Sequence, residues 1–114
     1  MDKNTSINDL KKTVEDFVTK RDWAQFHNPK NLSMAVAIEA AELMNLYKWY
    51  TIEESKEMMQ NENFKNDAID EIADIIIFTL AFANRNNIDI STAIKNKITK
   101  NKEKYPADKY KGKF

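Results

Sequence analysis

DAIDEIADIIIFTLAFA, residues 67–83, sets Asp67, Asp70, Glu71 and Asp74 at i, i+3, i+4 and i+7, and the same stripe runs on through Phe78 and Ala81. That spacing is the core-facing seam of an amphipathic helix. Charge therefore occupies half of a face patterned for burial. The rest of the chain agrees with a helical reading: Gly112 is its one glycine, Pro29 and Pro106 are its two prolines, and no Asn-Gly or Asp-Gly pair marks a hairpin. The expected fold class is all-α, a bundle of about four to five helices.

Working outward, a first helix is expected from Thr5 or Ser6, carrying Ile7, Leu10, Val14, Phe17 and Val18 at helical spacing. A loop with Trp23, His27 and Pro29 follows. The second helix is expected from about Leu32 to Tyr50, capped by Asn31 or Ser33. Thr51 and Glu54 match a capping box that opens a short third helix to about Gln60. Asn63 is the expected cap of the long fourth helix, which runs to about Asn86; Asp89 or Ser91 caps a fifth, and Pro106 marks its end. With no repeat, linker or low-complexity segment in view, residues 1–114 read as one domain with a basic tail from about residue 105.

The second helix repeats the anomaly of the fourth. In AIEAAELMNLYKWY, residues 37–50, Glu39 and Glu42 are the only acids, and at about 100° per residue they share a side with Leu32, Ala35, Leu43, Leu46 and Tyr50. An ionised carboxylate taken from water without a partner costs several kcal/mol or becomes protonated. No lysine or arginine in this helix is placed to serve both. If the second and fourth helices pack antiparallel, Glu39 and Glu42 meet Glu71 and Asp74. Four oxygen donors with no thiol or histidine beside them suit a hard cation, Mg²⁺ or alternatively Mn²⁺. The competing explanation is a pair of solvated or salt-bridged helix faces. A di-iron carboxylate bundle would need Glu-x-x-His on two helices, and His27, the single histidine, lies outside both.

Composition narrows the class further. With no cysteine, disulfide frameworks, zinc–thiolate centres and cysteine nucleophiles are excluded. No apolar run approaches the roughly 18 to 20 residues that span a bilayer, so no membrane association and a cytoplasmic location are expected. The zero net charge conceals an asymmetry: residues 95–114 hold eight lysines against Glu103 and Asp108, while the remainder is acidic to the same extent. A cationic arm of this kind either solvates a last helix or reaches an anionic ligand.

E39-A-A-E42 followed by E71-I-A-D74 resembles the E-x-x-E…E-x-x-D signature of the MazG-like, all-α nucleoside triphosphate pyrophosphohydrolases. RDWAQFHNPKNL at 21–32, Trp49, and KITKNKEKYP at 97–106 look like the corresponding segments of the dCTP pyrophosphatase branch. The similarity extends over about residues 5 to 106. It implies a helical bundle that oligomerises, as a tetramer built from dimers or as a dimer, binds Mg²⁺, and converts a nucleoside triphosphate to the monophosphate and pyrophosphate. By the same resemblance Glu39, Glu42, Glu71 and Asp74 match the metal ligands. Trp23, His27 and Trp49 match residues around the base, and Asn31, in the same matching segment, is assigned with them to substrate binding. Asn101, Lys104 and Tyr105 match the group near the phosphates, with Lys97 added. Two positions depart from the pattern: Phe78 stands where a tyrosine can occur, and Lys104 where an arginine can, and a lysine cannot form the bidentate fork of arginine.

The function expected is Mg²⁺-dependent hydrolysis of the α–β phosphoanhydride of a deoxynucleoside triphosphate, dCTP or a modified dCTP, in removal of surplus or modified nucleotides. Glu39 or Glu42 is the candidate base for the attacking water. The rival is a non-catalytic helical module that binds a nucleotide or a protein. Nucleic acid is disfavoured as a partner, because the acidic body opposes what the lysine-rich tail attracts.

Overall fold

The fold is described by a computed structural model covering residues 1–113. Helix α1, Ile7–Lys20, starts where Ser6 accepts from the Asp9 backbone and the Asp9 carboxylate accepts from the Ser6 backbone, at 3.1 and 2.9 Å. These reciprocal bonds satisfy two of the backbone donors orphaned at a helix start. A single 3₁₀ turn, Ala24–Phe26, follows, then α2, Pro29–Tyr47.

The observed α2 begins and ends about one turn before its expected span. Asn28, rather than Asn31 or Ser33, is its cap, accepting from the Asn31 backbone at 2.9 Å, and Pro29 sits at the first helical position. Proline is suited there because its missing N–H is one that a helix start leaves unpaired anyway. The helix α3, Ile52–Met58, carries the full Thr51–Glu54 capping box. Replacing Thr51 with alanine is expected to cost about 1 kcal/mol, read as a lowered midpoint in urea with an unchanged slope. Helix α4, Glu62–Arg85, is capped by Asn61, two residues before the expected Asn63. Helix α5, Ile90–Lys104, starts at the Asp89 cap, and a one-turn α6, Ala107–Tyr110, lies in what reads as a tail. Pro106 both follows α5 and fills the cap position of α6, so the chain resumes helix instead of ending it. Residue 114, the last of the expected tail, lies outside the described residues.

Helices α2 and α4 form the main packing pair, and α1 lies against α4. The core is small: Val14 and Val18 of α1 meet Leu32 of α2 and Leu80 and Ala81 of α4, with Ala24, Phe78, Phe82 and Ile90 packed around them. Leu32, at 2% exposure, contributes on the order of 1.5 to 3 kcal/mol by leaving water. Phe78 thus spends its ring on the core.

The alanines of the buried set add little volume, and much apolar surface stays uncovered. Ile38 and Met44 of α2 and Ile69, Ile72, Ile76 and Ile77 of α4 are all exposed. Two apolar grooves flank α4, one of about 390 Å³ against α1 and one of about 680 Å³ against α2. The radius of gyration, 17.1 Å, exceeds the ~13 Å of a closed domain of this length. Helix α5 explains much of the excess: it buries no residue and forms no broad interface with another helix among the described residues.

Candidate active site

The α2–α4 interface brings together the acids whose spacing drew attention in the sequence. Glu39 and Glu42 of α2 and Glu71 of α4 each offer a carboxylate oxygen, and the three lie within 4.8 Å of one another. Glu39 and Glu71 are half-buried and Glu42 is exposed, so the cluster opens on one side. One oxygen each of Glu39 and Glu71 is out of contact with water and accepts no hydrogen bond. Among the described residues, the two ion pairs lie elsewhere, joining Lys56 to Glu53 and Arg85 to Glu15.

Like charges gathered without a cation hold on to protons. Burial, then the Glu42 charge and its hydrogen bond, with smaller contributions from Asp74 and Glu71, push Glu39 up from its ordinary 4.5 to about 7. Burial and Glu42 raise Glu71 as well. Asp74 is not one of the three acids in the tight group, but its charge is felt by both glutamates. Asp67 and Asp70, the other acids of the seam, are exposed in the second and third turns of α4, past the first turn, where Glu62 stands and the helix dipole favours an acid.

The orphaned oxygens and the all-carboxylate donor set fit a hard divalent cation such as Mg²⁺ or Mn²⁺. Transition ions that prefer nitrogen or sulfur find neither donor within the group.

The aromatic and polar candidates lie in three other places. Trp23, 44% exposed, stands edge-on to Phe17 at 5.6 Å between ring centres, and the Arg21 guanidinium lies 3.8 Å over the Phe17 ring. His27, half-buried at the end of the 3₁₀ turn, has an Nδ1 that is buried and unpaired, and burial holds its pKa below the usual 6.5. Asn31 donates its amide to the Phe26 carbonyl at 3.1 Å, tying the loop to α2. Trp49, 84% exposed, follows the end of α2, with the Lys48 ammonium 5.3 Å from its ring.

On α5, Lys97 and Lys104 are exposed and Asn101 is half-buried. The Lys104 ammonium lies 5.3 Å from the Tyr105 ring, which meets Tyr110 edge-on. No hydrogen bond or ion pair among the described residues links these α5 side chains to the carboxylate cluster.

Long-range polar contacts at the far end of α4 have no counterpart in the sequence reading. Lys11 donates to the Ile88 carbonyl, Asn84 donates to the Lys11 carbonyl, and Arg85 pairs with Glu15. Side chain to backbone bonds across more than seventy residues carry no motif; the Asn86-Asn87 pair at a helix end is the one local signal, since asparagine tolerates the left-handed conformation seen at Asn87.

Similarity to known proteins converges on one group. The sequence model of the MazG-like family matches residues 34–113. The chain is 31% identical over 102 residues to a Homo sapiens protein named dCTP pyrophosphatase 1, covering 90% of this chain and 60% of that one. The Bos taurus protein of the same name is 31% identical over 107 residues, covering 94% and 63%. The chain therefore spans about three fifths of the length of these curated relatives. A crystal structure of a pyrophosphatase from Archaeoglobus fulgidus superposes with a TM-score of 0.78 at 33% identity, over 83% of this chain and 87% of that one.

Proposed function

The chain belongs to the MazG-like family, and from that premise we propose that it is a nucleoside triphosphate pyrophosphohydrolase, releasing pyrophosphate from a deoxynucleoside triphosphate, dCTP or a modified dCTP. The observation that carries this reading is the group of three glutamates from two helices, within 4.8 Å, with two buried oxygens unpaired. Helix pairing alone would not assemble charge of one sign at an interface and leave it without a cation.

In this reading Glu39, Glu42 and Glu71, with Asp74 at their edge, hold Mg²⁺, for which Mn²⁺ can substitute. When bound, the ion supplies charge neutralisation at the phosphates and a lowered pKa for coordinated water. Glu39 or Glu42 accepts the proton of the attacking water. Trp23 and Trp49 offer aromatic faces for the base, each stack being worth about 1 to 3 kcal/mol whatever the base. His27 and Asn31 add polar contacts there. Lys97, Asn101, Lys104 and Tyr105 on and just past α5 take the phosphates, which gives the basic end of the chain its purpose.

Residues 1–114 act as one domain in this reading, and its copies associate through the exposed apolar faces of α2 and α4, as a dimer or as a tetramer of two dimers. Faces of that extent are seldom left to water. A role in cleansing the nucleotide pool places the protein in the cytoplasm; no helix among the described residues is long and apolar enough to cross a membrane.

Pyrophosphate release from a panel of cytosine, 5-modified cytosine, uracil, thymine and purine deoxynucleoside triphosphates, with and without Mg²⁺, tests the reading. Mg²⁺-dependent release that is fastest with a cytosine nucleotide is the expected result. Silence across the whole panel would favour a non-catalytic helical module that binds a nucleotide or a protein.

A further inference from the structure

We propose that Lys11 is a positioning residue for the phosphate-facing side chains of α5, acting by holding the Ile88 carbonyl and so setting the angle at which α5 leaves the body. This inference rests on the pyrophosphohydrolase reading for its kinetic consequence and on the fold alone for its geometric one.

The need for such a device comes from the way α5 is attached. The helix buries no residue and lacks a broad interface with α1, α2 or α4 among the described residues, so within the chain its direction is decided at its root. Asn101 stands about 17 Å along the helix from Ile90, and a tilt of about 10° at the root would move it by about 3 Å. Displacements well under that size uncouple a binding group from its ligand.

The root is pinned from both sides. Helix α4 ends with Asn87 in the left-handed region, φ 52°, and with the Ile88 N–H donating to the Ala83 carbonyl at 3.0 Å. That pattern closes the helix and fixes where Ile88 lies. The Ile88 carbonyl then accepts from the Lys11 ammonium at 2.8 Å in a partly buried setting. Lys11 is itself anchored, since its own carbonyl accepts from the Asn84 side chain at 2.9 Å and Arg85 pairs with Glu15 one turn further along α1. One residue beyond Ile88, Asp89 caps α5 through the Thr92 N–H at 2.8 Å. A charged donor on a carbonyl is among the stronger hydrogen bonds available to a protein, and here it spans the joint between the acid-bearing α4 and the lysine-bearing α5.

Because the chain has no cysteine, the angle can be read directly. Spin labels on Lys20→Cys of α1 and Asn96→Cys of α5, in labelled chains diluted into unlabelled ones, report the intramolecular distance in the full-length protein. In Lys11→Met that distance distribution is expected to broaden or shift by several ångströms, KM for the preferred triphosphate to rise about tenfold, and kcat to stay within about twofold. Lys11→Arg keeps a cationic donor and is expected to restore both readouts. Lys12→Met, which removes an equal charge from the same helix but leaves the hydrogen bond to the Ile88 carbonyl in place, is expected to change neither. A distance and a KM in Lys11→Met that match Lys12→Met would overturn the proposal, as would equal losses in kcat and KM not rescued by Lys11→Arg. Should Lys11→Met lose its helical circular dichroism, Asn84→Ala, which frees the Lys11 backbone from the same anchor, takes its place under the same criteria. If the distance moves while the unsubstituted protein turns over no triphosphate, the joint stands and the pyrophosphohydrolase reading falls.

Discussion

Glu39→Gln is expected to reduce pyrophosphate release by at least about a thousandfold and, in metal-free buffer at neutral pH, to raise the melting temperature by a few degrees. The two effects have one cause. Among the described residues, Glu39 and Glu71 each keep a buried oxygen that accepts no hydrogen bond, and no lysine or arginine pairs with either. In the metal-free fold an amide in place of the Glu39 carboxylate removes a charge that burial and Glu42 both disfavour, and it adds a donor that the neighbouring carboxylates can accept. Under the proposed function, what is lost is a hard anionic ligand and a proton acceptor. A group kept for stability would behave in the opposite way, its removal lowering the melting temperature. Activity and melting temperature measured on one preparation therefore separate the possibilities. A Glu39→Gln protein that melts lower and still turns over substrate would assign the cluster to architecture.

This opposition between local stability and a concentrated charge is also what made the site legible in the sequence. Acids at 39, 42, 71 and 74 occupy stripes that otherwise spell burial, and a helical period is enough to place them on facing sides. The structure brings three of the four into one group, with Asp74 adjoining. The Thr51 box was equally open to reading, because its two bonds are made between residues three apart. Expectation and structure part where two local signals compete. Asn28 and Asn31 can each cap a helix; Asn28 does, because Pro29 fits the first turn, and Asn31 instead donates to the Phe26 carbonyl. Asn61 and Asn63 present the same ambiguity at α4, settled by the bond from Asn61 to the Phe64 N–H. The course of α5 was beyond the reach of periodicity. It depends on the left-handed Asn87 and on Lys11, far away in sequence, and neither leaves a repeating pattern.

Across pH 5 to 8 the metal-free protein is expected to lose stability relative to Glu39→Gln, and Mg²⁺ is expected to reverse that loss. The folded state holds the Glu39 proton up to about pH 7, whereas the unfolded chain releases it near 4.5. Between those values the folded state binds more protons than the unfolded one, so stability falls as pH rises through the interval and levels off above it. Glu71, also raised, contributes in the same direction. His27, whose pKa is lowered by burial, works with the opposite sign below its ordinary 6.5. Asp9 and Asp89, both lowered by hydrogen bonds to Ser6 and Thr92, act at acid pH below this range. Subtracting the melting curve of Glu39→Gln from that of the unsubstituted protein at each pH cancels His27 and leaves the glutamate cluster. The difference should grow against the unsubstituted protein from pH 5 to about 7. Divalent ions bind the deprotonated carboxylates, so added Mg²⁺ competes with protons for the same oxygens. At a hundredfold excess over its Kd the ion adds about 2.7 kcal/mol, several degrees in melting temperature at pH 8 and much less at pH 5, where protons hold the site. A Mg²⁺ shift of equal size at both pH values, or one that persists in Glu39→Gln, would place the ion elsewhere on the protein.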